Sequence, residues 1–458
     1  MIARMCFVWL FAWGLAVPAG GVEPLAEEAA ILARIAPPQF AAKDFPITAF
    51  GAEPDGDAAA AIAKAIAACS QAGGGRVVVP AGRWLTGAIR LASNVNLHVA
   101  DGATLVFDPD PKRYLPVVAT HWEGMECRNY SPLIYAAGET NIAITGGGVL
   151  DGSATWETWW AWCNKADKAR KMPVRQKPDR DRLVEMVAKG TPPEQRVFGE
   201  GHFLRPNFIQ PYRCTNVLIE GVTLINSPMW EVHPVLCSNV TVRNVTAKTL
   251  GPNNDGCNPE SCRDVLIEDC LFETGDDCIA IKSGRNDDGR RIGVPSENIV
   301  IRRCSFKDGH GGVTLGSEIS GGVRNVFVSD CRMDSPDLDR AFRFKSNAVR
   351  GGVLENVRIR DVTIGQVGKE VLCVEFDYEE GAQGQHRPVL RGVTIERVTA
   401  AQSGQVIAIR PIPNSAVEDI VIRDCTFRGA VSAPDLRGGD LRFEGVTIER
   451  AKETGDGR

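Results

Sequence analysis

From residue 216 onward the chain returns to one short phrase in which apolar and polar residues alternate. It reads Asn216-VLIEGVTL, Asn239-VTVRNVT, Asp264-VLIEDCLF, Asn298-IVIRRCSF, Asn325-VFVSDCRM and Asn356-VRIRDVTI. Echoes follow at Gly392-VTIERVT and Asp419-IVIRDCTF, and an earlier one stands at Asn141-IAITGGGVL. A period of two with β-branched residues on one phase predicts a strand with one buried face. The opening Asn or Asp tolerates left-handed backbone and can stack as a ladder of side chains. Starts fall 23 to 36 residues apart. That interval is too short for a four-stranded propeller blade, and no leucine lattice recurs. The pattern predicts an all-β chain, a parallel β-helix of about ten coils.

The rest of the chain fits around that solenoid. Ala58 to Ser70 carries apolar residues at helical spacing after Phe50-Gly51-Ala52 and before Gly73-Gly74-Gly75. It predicts an amphipathic helix capping the open end of the coil, with Val77-Val78-Val79-Pro80 as the first buried strand. The segment 153–205 breaks the repeat with Trp156, Trp159, Trp160 and Trp162 followed by a basic stretch. It reads as an insertion, either a peripheral flap or one wall of a cleft. At the other extreme, Arg4 precedes a twelve-residue apolar run, Cys6 to Val17, and then Val17-Pro18-Ala19. Such a run is short for a membrane span and suits a cleaved signal peptide over residues 1–20. The expected organisation is therefore that signal, a lead-in at 21–45, the β-helix at 46–450 and a tail at 451–458. It implies export to the periplasm or the outside of the cell, with no membrane span.

Composition narrows the partners. Lys and Arg number 52 against 57 Asp and Glu, a formal net charge of −5, which is the wrong balance for a nucleic-acid binder. Fourteen cysteines become thirteen once Cys6 leaves with the signal, an odd number with no zinc-ligand spacing. Cys270, Cys304, Cys331 and Cys425 recur at one point of the phrase, as residues stacked in a core would. No disulfide framework and no metal site is expected. No nucleotide-binding motif is present either.

Chemistry concentrates between residues 252 and 346. Successive coils offer Asn253-Asn254-Asp255, Asp276-Asp277, His310, and Arg343-Phe344-Lys345 at one phase of the repeat. Coils of a parallel sheet stack about 4.8 Å apart, so these groups become neighbours. Three clustered carboxylates repel one another, and at least one holds a proton near neutrality. That suits a division between general acid and general base. Arg343 and Lys345, two apart on a strand, share a face and can clamp a carboxylate, which points to an acidic polymer as partner.

GPNNDG, TGDDCIAIKSG, DGHGG and FRFK, in that order, resemble the four signature segments of the polygalacturonases, glycoside hydrolase family 28. Asn254 stands where the family usually has Thr, and Phe344 where it has Ile. The resemblance implies a right-handed parallel β-helix that hydrolyses α-1,4-galacturonosyl links in polygalacturonate with inversion, without a cofactor. It implies Asp276 as general acid, Asp255 and Asp277 as holders of the attacking water, and His310 beside the acid. Arg343, Lys345 and Tyr378 would bind substrate, with Asn253 in the same motif. NSPMWEVHP also resembles bacterial exo-acting members, with Trp230 against a sugar face and His233 against a substrate acid. The extra length at 153–205 and 284–297 suits a closed cleft and release from the non-reducing end. Hydrolysis of rhamnogalacturonan or unsaturated oligogalacturonides, Ca²⁺-dependent lysis of pectate, and a non-catalytic adhesin are the alternative readings.

Overall fold

A computed structural model describes residues 23–163 and 175–451. The expected signal peptide, the basic stretch of the insertion at 164–174 and tail residues 452–458 lie outside the described residues.

The repeated phrases become one sheet of thirteen strands running from Asp44–Pro46 to Leu441–Glu444. Neighbours are parallel and in register: Val265 pairs with Ile299, Ile299 with Val326, and Val326 with Val357. These four side chains point into the coil and are fully buried. Truncating Ile299 to alanine would cost about 2–5 kcal/mol, because a stacked coil has little room to collapse. Asn216, Asn239, Asp264, Asn298, Asn325 and Asn356 all have φ between 52° and 58°. The amides bond coil to coil, Asn239 to Asn216 at 2.7 Å and Asn325 to Asn298 at 2.9 Å. This is the predicted side-chain ladder. The sheet has thirteen rungs against an expectation of about ten coils: Asp44–Pro46 and Gly75–Val79 lack the leading Asn or Asp, whereas Val95–Val99 follows Asn94, whose Oδ1 accepts from Asn141 at 3.0 Å.

A second sheet of sixteen strands wraps the remaining faces, since Thr363–Glu375 and Thr399–Arg410 each run through two of them. One of these faces carries the parallel strands Ile279–Ile281, Val313–Leu315 and Phe342–Lys345. Single bridges at Cys257 and Val232 continue its ladder back to Ile209–Tyr212. The helix Ala59–Gln71 caps the coil, burying Ala61, Ile62, Ala65, Ile66 and Cys69, one residue displaced from its expected bounds. The lead-in holds a helix, Glu23–Leu32, whose Ile31 packs outside the first sheet on Leu266, Val300 and Phe327. All thirteen described cysteines are free and buried, and Cys270, Cys304, Cys331 and Cys425 lie in the core. Among the described residues no helix is long and apolar enough to cross a membrane.

The insertion is anchored by its tryptophans. Trp159 and Trp162 meet edge to face at 4.8 Å, and Trp160 donates to the Ser227 carbonyl at 2.8 Å. The helix Gln176–Ala188 packs Leu183 and Val187 with Trp122 and Met125, and its first turns line one cavity with Lys282 and Lys345.

Candidate active site

Asp255, Asp276 and Asp277 come from two adjacent coils, and one carboxylate oxygen of each lies within 4.8 Å of the others. Asn254 sets the position of Asp255. Its Oδ1 accepts from the Gly251 amide at 2.9 Å and from the Thr249 hydroxyl. Its Nδ2 donates to the Ser227 and Met229 carbonyls at 3.0 and 3.1 Å. An amide fills all four bonds, which gives the departure from Thr a physical basis. Asp277 is fully buried and accepts from Lys345 at 2.6 Å and the Thr314 hydroxyl at 3.0 Å, with Arg343 3.7 Å away. Asp276 meets the Nδ1 of His310 at 2.9 Å.

Alternation along Phe342–Lys345 puts Phe342 and Phe344 in the core and Arg343 and Lys345 on the opposite face, as expected. Both cations are already engaged by protein. Arg343 donates to Glu375 at 2.7 and 3.1 Å, while Lys345 holds Asp277. The ring of Tyr378 lies 5.4 Å from each cation. Lys282, inside the DDCIAIKSG segment, is a further buried cation: it bonds Glu318 at 3.0 Å, reaches Asp255 at 3.6 Å and sits 4.3 Å from the Trp230 ring.

These charges separate the carboxyls. Burial, then Asp276, raises Asp255 to about 8, against the pull of Lys282. Burial would raise Asp277 as well, but Lys345 and Arg343 hold it below the usual carboxylate range. At neutral pH Asp277 is therefore ionised while Asp255 keeps a proton. The hydrogen bond to Asp276 raises His310.

Asp255, Asp276, Lys345, Trp230, Tyr378 and Asn253 line one cavity of about 310 Å³. Asp277 and Arg343 lie beneath it, and His310 stands half-exposed beyond Asp276. A larger open groove under residues 38–44 holds none of the clustered carboxylates. Cys163, Gln176, Lys177 and Arg180 line the same cavity, so the insertion is a wall of the cleft and not a distant flap. Arg180 binds Glu123 at 2.6 Å and approaches Glu379 at 3.7 Å, bridging to the loop that carries Tyr378. Arg205, fully buried, donates to Gln176 at 2.7 Å and Asn253 at 2.8 Å and ties that wall to the catalytic loop.

His233 does not face the cavity, which corrects the expectation that it meets substrate. It is completely buried, its Nε2 2.8 Å from Glu260, whose other oxygen is 2.8 Å from His121. Strand alternation does turn His233 outward, but the hairpin carrying His121 covers that stretch of the face. Lys282 stood within a quoted motif with its charge unused. Arg205, Glu318 and Glu375 lie outside the motifs, and only folding brings them near.

Clustered carboxylates beside buried cations, in a walled cleft on a parallel β-helix, define a glycosidase-type site for an acidic glycan. The profile of Glycosyl hydrolases family 28 matches residues 200–434, just over half of the chain. A hyperthermoactive exopolygalacturonase from Thermotoga maritima superposes with a TM-score of 0.89 at 45% identity, over 94% of this chain and 96% of that one. A probable polygalacturonase of Vitis vinifera is 28% identical over 82% of this chain and 71% of its own. The exo-poly-alpha-D-galacturonosidase of Dickeya chrysanthemi is 27% identical over 73% of this chain and 57% of its own. The chain belongs to glycoside hydrolase family 28.

Proposed function

We propose that this family 28 polygalacturonase removes galacturonate units from the non-reducing end of polygalacturonate. The observation that carries the exo reading is the Arg180 bridge: a cation of the insertion helix spans Glu123 and Glu379 and closes the cleft beside the carboxylates. Arg343 and Lys345, with Tyr378 packed against both, supply the positive field for the sugar carboxylate, and Trp230 offers a ring face.

The Asp255–Asp276 pair holds one proton at neutral pH. Transfer of that proton from Asp255 to Asp276, whose carboxylate oxygens lie within 4.8 Å, arms the acid, and the proton then passes to the glycosidic oxygen as the bond to the anomeric carbon breaks. Asp255 and Asp277, then both anionic, hold the water that attacks that carbon and take its proton, so the cluster ends with the proton count it began with. His310 bonds the oxygen of Asp276 and orients it. Separations of about 6.5–9.5 Å are general to inverting glycosidases, and this trio is tighter. Inversion here requires the water to be shared by two carboxylates at the edge of the trio. Proton NMR of the first anomer released tests it: an inverted product supports the roles assigned, and a retained one makes one of these carboxylates a nucleophile.

A further inference from the structure

Among the described strand pairs the one antiparallel pair is the hairpin Val118–Trp122 with Met125–Asn129, and its turn is the two residues Glu123-Gly124. Both have positive φ, 44° and 78°. Turns of this kind favour Asn or Asp before the Gly, because a longer L side chain is strained in left-handed backbone. This chain uses Asn or Asp at most of its other left-handed non-glycine positions. A glutamate here works against the turn, and such strain persists where the surroundings impose it for function.

The surroundings do impose it. The Arg285 amide donates to the Gly124 carbonyl at 2.9 Å, and a Cβ at 124 would meet that nitrogen at 2.8 Å and the Glu318 Cβ at 3.1 Å. Trp122 donates its indole N–H to the Arg205 carbonyl at 3.0 Å. Glu126 accepts from Tyr212 at 2.6 Å and from Arg291, while His121 joins Glu260 and His233. The hairpin tip is thus pinned inside the cleft, and Glu123 lines the cavity that holds Asp255 and Asp276. Both cations that reach Glu123 converge on one oxygen: Arg180 at 2.6 Å and Arg285 at 2.8 Å bind Oε2. Among the described residues Oε1 accepts no hydrogen bond.

A carboxylate oxygen left open in a site for a polyanion repels the sugar carboxylates, and only hydroxyl donors satisfy it. A galacturonate inside a chain has its O4 locked in the glycosidic link, whereas the chain-end sugar presents a free hydroxyl there. We propose that Glu123 is a specificity-determining residue whose Oε1 accepts a hydrogen bond from the C4 hydroxyl of the chain-end galacturonate. The inference rests on the exo reading above. An unsaturated chain end, left by eliminative cleavage, has lost that hydroxyl and leaves the acceptor unpaired. The substrate must then be supplied by hydrolytic cleavage of the polymer, not by a lyase.

The test compares saturated trigalacturonate with the trimer bearing an unsaturated non-reducing end, using the full chain and its Glu123→Asn and Glu123→Gln variants. The parent should favour the saturated trimer by about 100-fold or more in kcat/KM, and both variants should narrow that ratio to less than about tenfold. Glu123→Asn should lower the melting temperature, because Asn-Gly suits the turn but the buried Arg285 loses its carboxylate; Glu123→Gln keeps the side-chain shape should the first variant misfold. Equal rates of the parent on both trimers, or a ratio unchanged in the folded variants, overturns the assignment. Early product sizes on polygalacturonate report the exo reading separately: mixed oligomers from the parent refute that reading, whatever the trimers show.

Discussion

Replacing Asp255 with asparagine should impair turnover and stabilise the fold, and the second effect should depend on pH. Asp255 is buried, and its carboxyl rises from an ordinary 3.8 to about 8 through burial and the charge of Asp276. Between those values the native state binds a proton that the unfolded chain does not, so stability falls as pH rises through the window. From pH 5 to pH 8 that is three units at about 1.4 kcal/mol each, or about 4 kcal/mol. Asparagine keeps the shape of the neutral acid and does not titrate, so the variant lacks this slope. Denaturation of parent and variant at pH 5, 6.5 and 8 measures it. The stability advantage of Asp255→Asn should widen by about 4 kcal/mol across that range, while kcat falls about 100-fold or more. An advantage that stays constant or shrinks with pH would refute the reasoning, because Asp255 would then not hold the proton.

Three further outcomes follow from the geometry. Asp276→Asn should lower kcat by about 100-fold to 10,000-fold with KM and melting temperature little changed, measured by reducing-end release. Arg180→Ala should loosen the bridge between Glu123 and Glu379 and shift early products on polygalacturonate from monomer toward mixed oligomers, read by anion-exchange chromatography. Asn325→Ala breaks the ladder bonds to Asn298 and Asn356 and puts a less tolerant residue at φ 56°, so it should cost about 1–3 kcal/mol in denaturant titration.

The solenoid was legible because its physics repeats. Alternation in phrases such as Asp264-VLIEDC fixes which side chains enter the coil, and the leading Asn or Asp both turns the chain and bonds its neighbour. The carboxylate trio was legible for the same reason, since equal phase in successive coils means adjacency in space. What stayed hidden depends on partners that no period reveals. Lys282 alternates like any outward residue, and only folding brings Glu318 and Trp230 to it. His233 points outward as its strand requires, yet the 118–129 hairpin covers it. That hairpin left little signal: Val118–Trp122 does not alternate, and a glutamate in the left-handed position masks the usual Asn-Gly mark.

The measurement that bears most directly on the central claim is product analysis on de-esterified polygalacturonate, with and without a chelator, reading reducing ends, ultraviolet absorbance and product sizes together. Saturated galacturonate as the early product, at a rate indifferent to chelator, is the predicted result. Ultraviolet-absorbing product that disappears on chelation would contradict hydrolysis by the Asp255, Asp276 and Asp277 trio, and a ladder of saturated oligomers would contradict the closed cleft.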